Sequence, residues 1–326
     1  MERNDIGARH RLLNAADAAA PAGAPLPPQT EPQNSTSATT GVMPGPSPQP
    51  QAPPDSLAAG RDDSPSSPPE FSPYINRVWT ILWRDFEIFL ADNALYFSGP
   101  LRWNQRDWTN FGLLAGTQAL QIGLADAQVR EALLEYNQNL DDDFLEFLEV
   151  VEIYGEVGWA TVGGAAVYSY GLLSEDEYVR TLGLVLTESI FASGVLALGV
   201  RYVAGRNRPY RTDDPGEFNW FETDFESQAW PSGHVILAFG VSSVMAGYFD
   251  EPWAYAAFYG LAGFVAVSRV YTNGHWLSDV TLATVMGLSS GLFALDRLEE
   301  RRTGVLPRDG FGWNLGPGSI HVSYRF

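Results

Sequence analysis

The sequence predicts an all-α protein behind a disordered tail, on three observations. Residues 1–73 hold 15 of the 22 prolines and none of the ten tryptophans. Six runs of helix length, nearly free of charge, follow in the remaining chain. Residues that start and stop helices stand at the ends of the later runs.

In residues 1–73 the prolines are separated by Ser, Gln, Ala and Gly. Such a stretch buries too little apolar surface to offset the entropy of ordering, so it reads as a disordered tail. Met1–Leu13 carries three arginines, but Asn14–Pro21 is weakly apolar and holds Asp17, so no convincing signal peptide is present. The expected organisation is this tail, a helical domain over 74–302, and a C-terminal tail over 303–326.

Tyr74–Leu95 reads as an amphipathic helix with Ile75, Val78, Ile81, Leu82 and Phe86 near helical spacing. The six apolar runs are 108–125, 157–174, 182–200 (broken only by Glu188), 235–249, 252–268 and 280–295. Each is about 15–19 residues, close to the roughly 20 that span a bilayer. Their frequent Gly, Ala and Ser suit close helix packing in lipid. Membrane embedding is the expectation, although the same lengths fit the buried helices of a soluble enzyme.

Between the runs, Asp141–Asp143, Glu146, Glu149 and Glu152 recur at helical spacing without a histidine, and read as a solvated helix face rather than a metal site. The segment Tyr210–Trp230 mixes acids with Phe218, Trp220, Phe221 and Phe225, and reads equally as a lid or as a surface loop. Ser319–Phe326 alternates like a strand, but one strand closes no barrel.

The formal net charge is −19, and all twenty basic residues are arginine. A chain so acidic offers no basic face to nucleic acid. With no cysteine, disulfides and thiolate catalysis are excluded. Arg297, Arg301 and Arg302 follow the last run, and the positive-inside rule assigns them to the cytoplasm.

Three short stretches carry chemistry. Arg201-Tyr-Val-Ala-Gly-Arg-Asn-Arg208-Pro209 ends one run. Pro231-Ser-Gly-His234 opens the next, with Ser232 able to cap a helix whose first N–H groups attract anions. Ser268-Arg269 ends a third, and His275 and Asp279 open the last. Alternating helix directions bring all three to one end of an antiparallel bundle. His275 and Asp279 are four apart, so the carboxylate can accept from one imidazole nitrogen and leave the other free.

This trio resembles the signature of the type 2 phosphatidic acid phosphatase (PAP2) superfamily, whose relatives include bacterial acid phosphatases and vanadium haloperoxidases. The pattern K-x6-RP, PSGH and SR-x5-H-x3-D is matched at every position but the first, where Arg201 replaces lysine. In a chain without lysine that exchange keeps a fixed positive charge and phosphate-matching donors. The resemblance implies a six-helix core, which the six runs match. It implies a nucleophilic His275, an acid in His234 and an orienting Asp279, with Arg201, Arg208, Ser232, Gly233 and Arg269 on the phosphate. Arg206 and Arg211 are expected in loop or solvent roles.

The resemblance further implies a phosphatase needing no metal or cofactor. Its substrates would be lipid phosphates or isoprenyl diphosphates in a membrane protein of the bacterial envelope with a periplasm-facing site, or small phosphomonoesters in a soluble periplasmic one. A vanadium-dependent haloperoxidase and a catalytically relict membrane protein are the other readings.

Overall fold

The computed structural model describes residues 73–137, 142–303, 311–316 and 319–324, all within the unit Ser67–Phe326. The expected disordered tail lies outside the described residues except for Pro73, as do His10, Asp141 and the stretch Met1–Leu13.

Nine α-helices occur among the described residues: α1 (Pro73–Phe97), α2 (Gln105–Leu120), α3 (Asp126–Asn137), α4 (Asp142–Glu152), α5 (Val157–Leu173), α6 (Glu177–Ala204), α7 (Gly233–Phe249), α8 (Pro252–Tyr271) and α9 (Leu277–Thr303). The six apolar runs are α2 with its π-helical extension Gln121–Ala125, then α5 to α9. The expected amphipathic helix is α1, while α3 and α4 add two helices beyond the six-run core. The C-terminal alternating stretch has a partner that one-strand reading missed. β1 (Phe311–Gly316) and β2 (Ser319–Tyr324) pair antiparallel, Phe311 opposite Tyr324 and Gly316 opposite Ser319.

Local chemistry sets the helix ends. Asn104 and Asp107 form a reciprocal capping box that starts α2. Asp176 caps α6, which ends on Gly205 in the left-handed region, φ 56°. A side chain at 205 would also strike the Asn219 carbonyl at 1.7 Å, so glycine is required on two counts. Pro252 stands in the first turn of α8.

The core lies where α6, α7 and α9 meet, around Val185, Leu186, Ile190, Val235, Ile236, Val244, Ala283 and Met286. Small residues let these helices approach closely, and Ser193 and Ser290 hydroxyls hydrogen-bond across α6 and α9 at 2.6 Å. Among the described residues two helices, α6 and α9, are long and apolar enough to cross a bilayer.

The two faces of α1 do not divide into apolar and polar, since Arg77, Arg84 and Glu87 are exposed while Val78, Ile81 and Leu82 are half-buried. Its buried residues are Asp85, Asp92 and Asn93, while Ile75, Trp79, Trp83, Phe86 and Leu90 face outward. Asp85 meets Arg180 Nη1 at 3.3 Å and the Tyr168 hydroxyl at 3.0 Å. Asp92 meets Arg297 Nε at 2.9 Å and also pairs with Arg301.

Candidate active site

Four helix ends converge. The last turn of α6 supplies Arg201, and the chain reverses at Gly205 to present Arg206, Asn207 and Arg208. The first turn of α7 supplies Ser232, Gly233 and His234. The last turn of α8 supplies Ser268 and Arg269, and the turn before α9 supplies His275, with Asp279 in the first turn of α9.

Arg201 Nε donates to the Pro231 carbonyl at 2.8 Å. The guanidinium lies so close over Gly233 that a methyl group there would sit 2.5 Å from Nη2. Arg208 stacks 4.4 Å over the Phe225 ring, donates to the Gly274 carbonyl at 3.2 Å, and brings Nη1 to 3.4 Å from His275 Nε2. Arg269 is held by Glu152, which also accepts from the Ser268 hydroxyl at 3.1 Å. His234, half-buried in the first turn of α7, lies in the field of Arg269, Arg201 and Arg208.

Two buried donors here, the Ser232 hydroxyl and Arg269 Nε, have no hydrogen-bond partner among the described residues. Ser232 does occupy the N-cap position of α7, but its side chain makes no capping bond, contrary to expectation. Its hydroxyl stays available to a ligand instead. Buried donors left unsatisfied cost about 1–3 kcal/mol each, which makes an anion a strongly favoured occupant.

His275 is buried, and its Nδ1 lies 2.8 Å from the Ala229 carbonyl. That bond requires a proton on Nδ1 and leaves the Nε2 lone pair facing Arg208. Burial, then the charges of Arg208, Arg269 and Arg201, push the His275 pKa well below the usual histidine value. Asp279 Oδ2 is 3.5 Å from Nδ1, farther than the Ala229 carbonyl. The expected direct orientation by Asp279 is therefore replaced by a backbone acceptor, with the carboxylate behind it. Asp279 instead accepts from the Trp276 N–H at 2.8 Å and from Arg206 at 2.5 Å.

Arg206 corrects a second expectation. It has no exposed surface, and its ring neighbours are Phe218 and Trp276. Arg211 keeps to the surface, paired with Asp224 and Glu226. Glu152 is likewise not part of a solvated face, since its carboxylate binds Arg269, although Glu146 and Glu149 are exposed. The segment Tyr210–Trp230 backs the arginines: Pro215 accepts from Arg206, Phe225 underlies Arg208, and Trp230 Nε1 reaches Gln118 of α2.

Sequence reasoning missed Asp126 and Gln118. Asp126 follows the π-helical turn, a distortion common at functional sites, and is fully buried against Arg206 and Ser278. Its signal was being the first charge after the uncharged run 108–125. Among the described residues no group of three His, Cys, Asp or Glu side chains gathers as a metal site.

Comparison with known proteins agrees with the motif reading. Residues 182–302 match the family model of the PAP2 superfamily. The lipid A 1-phosphatase of Porphyromonas gingivalis is 29% identical over 112 residues, 34% of this chain and 21% of that protein. The match thus spans about a fifth of that relative's length. The lipid A 1-phosphatase of Rhizobium etli is 26% identical over 204 residues, 60% of this chain and 84% of that protein. The crystal structure of Aquifex aeolicus LpxE aligns with a TM-score of 0.39 and 19% identity, covering 51% of this chain and 93% of that one.

Proposed function

We propose, from the premise that residues 182–302 belong to the PAP2 superfamily, that this protein is a metal-independent phosphatase of phosphorylated lipids. The observation that carries the reading is the pair of unsatisfied buried donors, the Ser232 hydroxyl and Arg269 Nε, on helix ends whose arginines act on His275. Arg208 Nη1 lies 3.4 Å from Nε2, and Arg269 and Arg201 add to the positive field there.

In this reading Arg201, Arg208 and Arg269 hold the phosphate oxygens together with the Ser232 hydroxyl and the Gly233 N–H. Phosphoryl transfer spreads charge over equatorial oxygens, so positioning and fixed positive charge do most of the catalysis. His275 Nε2 attacks phosphorus, and the bond to the leaving oxygen breaks as His234 protonates it. The phosphohistidine is then cleaved by water, which passes a proton back to His234. A phosphate dianion offsets the arginine charges around His234, which favours the protonated imidazole once substrate is bound. Asp279 stabilises the positive charge that develops on the His275 ring.

Membrane embedding is supported by α1, which buries Asp85 and Asp92 and exposes Trp79 and Trp83. Exposed large apolar residues recur on α5 and α8, among them Trp159, Val162, Tyr170, Trp253 and Phe264. A lipid substrate is supported by an apolar cavity of ≈ 450 Å³ along the C-terminal part of α6, lined by Phe97, Val200, Val203, Ala204, Trp220 and Trp230. By the positive-inside rule, the Arg297–Arg302 end faces the cytoplasm and the site faces the periplasm. A reporter fused after Arg302 that is active only outside the cytoplasm would reverse that orientation.

The test is phosphate release in detergent from lipid A 1-phosphate, phosphatidic acid, an isoprenyl diphosphate and an aryl phosphate, with chelator present. Release from a lipid that survives chelation and disappears in His275→Ala is expected. Release from the aryl phosphate alone would remove the lipid assignment, and release from none would remove the phosphatase.

A further inference from the structure

The three motifs hold a fourth arginine, Arg206, and its surroundings differ from those of the other three. Every N–H of the Arg206 guanidinium is engaged. Nε donates to the Pro215 carbonyl at 3.0 Å. Nη1 donates to the Ser278 hydroxyl at 2.6 Å and to Asp279 Oδ1 at 2.5 Å. Nη2 donates to Asp126 Oδ2 at 2.7 Å and again to Pro215 at 2.7 Å. Five donors are thus used, and none remains for a phosphate oxygen.

Its two carboxylates are equally committed. Asp126 Oδ1 accepts from the Ser278 N–H at 2.9 Å, an orphan donor in the first turn of α9, and Oδ2 accepts from the Ser278 hydroxyl at 2.5 Å. Asp279 Oδ2 accepts from Trp276 N–H, and the Asp279 carbonyl accepts from Ser232 N–H at 3.1 Å. Arg206, Asp126 and Asp279 have no exposed side-chain surface. Removing one member of such a group leaves an uncompensated buried charge.

We infer that Arg206 and Asp126 are positioning residues for the reaction at His275: they fix the first turn of α9 and the Asp279 carboxylate behind the imidazole. They touch neither phosphate nor the reacting nitrogen. Asp126 fastens the α9 backbone at Ser278, and Arg206 draws Asp279 Oδ1 away from the ring. The Ala229 carbonyl is then the nearest acceptor of the Nδ1 proton. The Nε2 lone pair stays directed at the arginine cradle. The inference rests on the phosphatase reading, because it assigns these residues to the same reaction.

The experiment compares wild type, Arg206→Met, Asp126→Asn and the cradle variant Arg208→Met in detergent. It measures kcat on the best lipid substrate, binding of inorganic phosphate by calorimetry, and the His275 tautomer by 15N-histidine spectra. For Arg206→Met and Asp126→Asn, kcat should fall about 10²-fold, the scale of an ångström's misplacement. Phosphate binding should stay within about threefold, and the Nδ1–H signature should give way to mixed tautomers. Arg208→Met should instead lose phosphate binding. Should Arg206→Met fail to fold, Asp126→Asn, which keeps the arginine and the shape of the acid, is read in its place. Unchanged kcat and tautomer in a folded variant would overturn the inference, as would loss of phosphate binding equal to that of Arg208→Met. If wild type hydrolyses nothing, the phosphatase reading fails by itself. The tautomer, which needs no turnover, then decides whether Arg206 and Asp126 position His275.

Discussion

Helix α9 joins two buried charge clusters that are built from the same residue types and arranged to opposite effect. At its first turn lie Asp279 and the arginines of the candidate site. At its last turns lie Arg297 and Arg301, clasping Asp92 of α1, with Glu300 and Glu188 beside them. At the first turn the hub arginine is saturated, while Arg269 Nε and the Ser232 hydroxyl have no hydrogen-bond partner among the described residues. At the far end Arg297 Nε and Arg301 Nη1 are turned on a carboxylate from another helix, while Arg301 Nη2 makes no hydrogen bond among the described residues. One cluster is arranged to receive an anion from outside. The other already contains its anion, Asp92, and so fastens α1 to the bundle.

Breaking the comparison begins with Arg208. Among the described residues no carboxylate lies within bonding distance of its guanidinium, so Arg208→Met should lower kcat/KM about 10³-fold while the melting temperature in detergent moves little. A large loss of stability with normal specific activity would mean that the two ends of α9 do the same work.

Gly233→Ala sharpens the same point by a smaller step. The added methyl would meet only the tip of Arg201, which can move aside, so folding should survive. The displaced guanidinium should cost about tenfold in kcat/KM, again from misplacement rather than lost charge. Wild-type kinetics for this variant would mean that Arg201 needs no fixed position.

At the other end, Asp92→Asn leaves Arg297 and Arg301 without their shared acceptor. Both arginines are partly exposed and can turn toward solvent or lipid headgroups, so the loss should be about 2 kcal/mol rather than that of a sealed pair. It should be read as a lowered unfolding midpoint with unchanged kcat. A fall in kcat at unchanged stability would link α1 to the chemistry.

How much of this was legible in the sequence follows from the distance over which each feature is built. The six runs became helices because apolar length and local caps act within a few residues. Arg201, Ser232, Arg269 and His275 were found through fixed spacings that helix ends then carried to one place. Arg206 was not, because its partners Asp126 and Asp279 lie 80 and 73 residues away. Nothing local separates it from Arg211, which stayed at the surface. Glu152 and Glu149 likewise belong to one acidic pattern, and only the position of Arg269 distinguishes them. The burial of Asp85 and Asp92 on α1 escaped because their partners Arg180, Arg297 and Arg301 are far away in the chain.

Acidity gives the comparison a second axis. Burial and three arginines keep His275 neutral well below the ordinary range. 15N-histidine titration should therefore show His275 uncharged at pH 6.5, about the value of a free side chain. The unfolded chain takes up that proton first, so His275 contributes stability above about pH 6.5 that is lost as pH falls toward its folded value. A His275 that titrates at or above 6.5 would mean the arginine field is screened.

The smallest effect tests the quiet member of the far cluster. Glu188 sits in the middle of α6, and among the described residues neither of its carboxylate oxygens makes a hydrogen bond, Arg301 Nη2 being 3.7 Å away. Were it a working partner of Arg301, Glu188→Gln would cost as much as Asp92→Asn. The geometry says otherwise, because Asp92 already occupies the arginines and the glutamine amide matches glutamate in shape. The change should therefore stay within about 0.5 kcal/mol of wild type in unfolding midpoint, and it should leave kcat untouched. A loss matching that of Asp92→Asn would show that the clasp is a four-residue unit, and the contrast between the two ends of α9 would then rest on the number of acids, not on which of them bind.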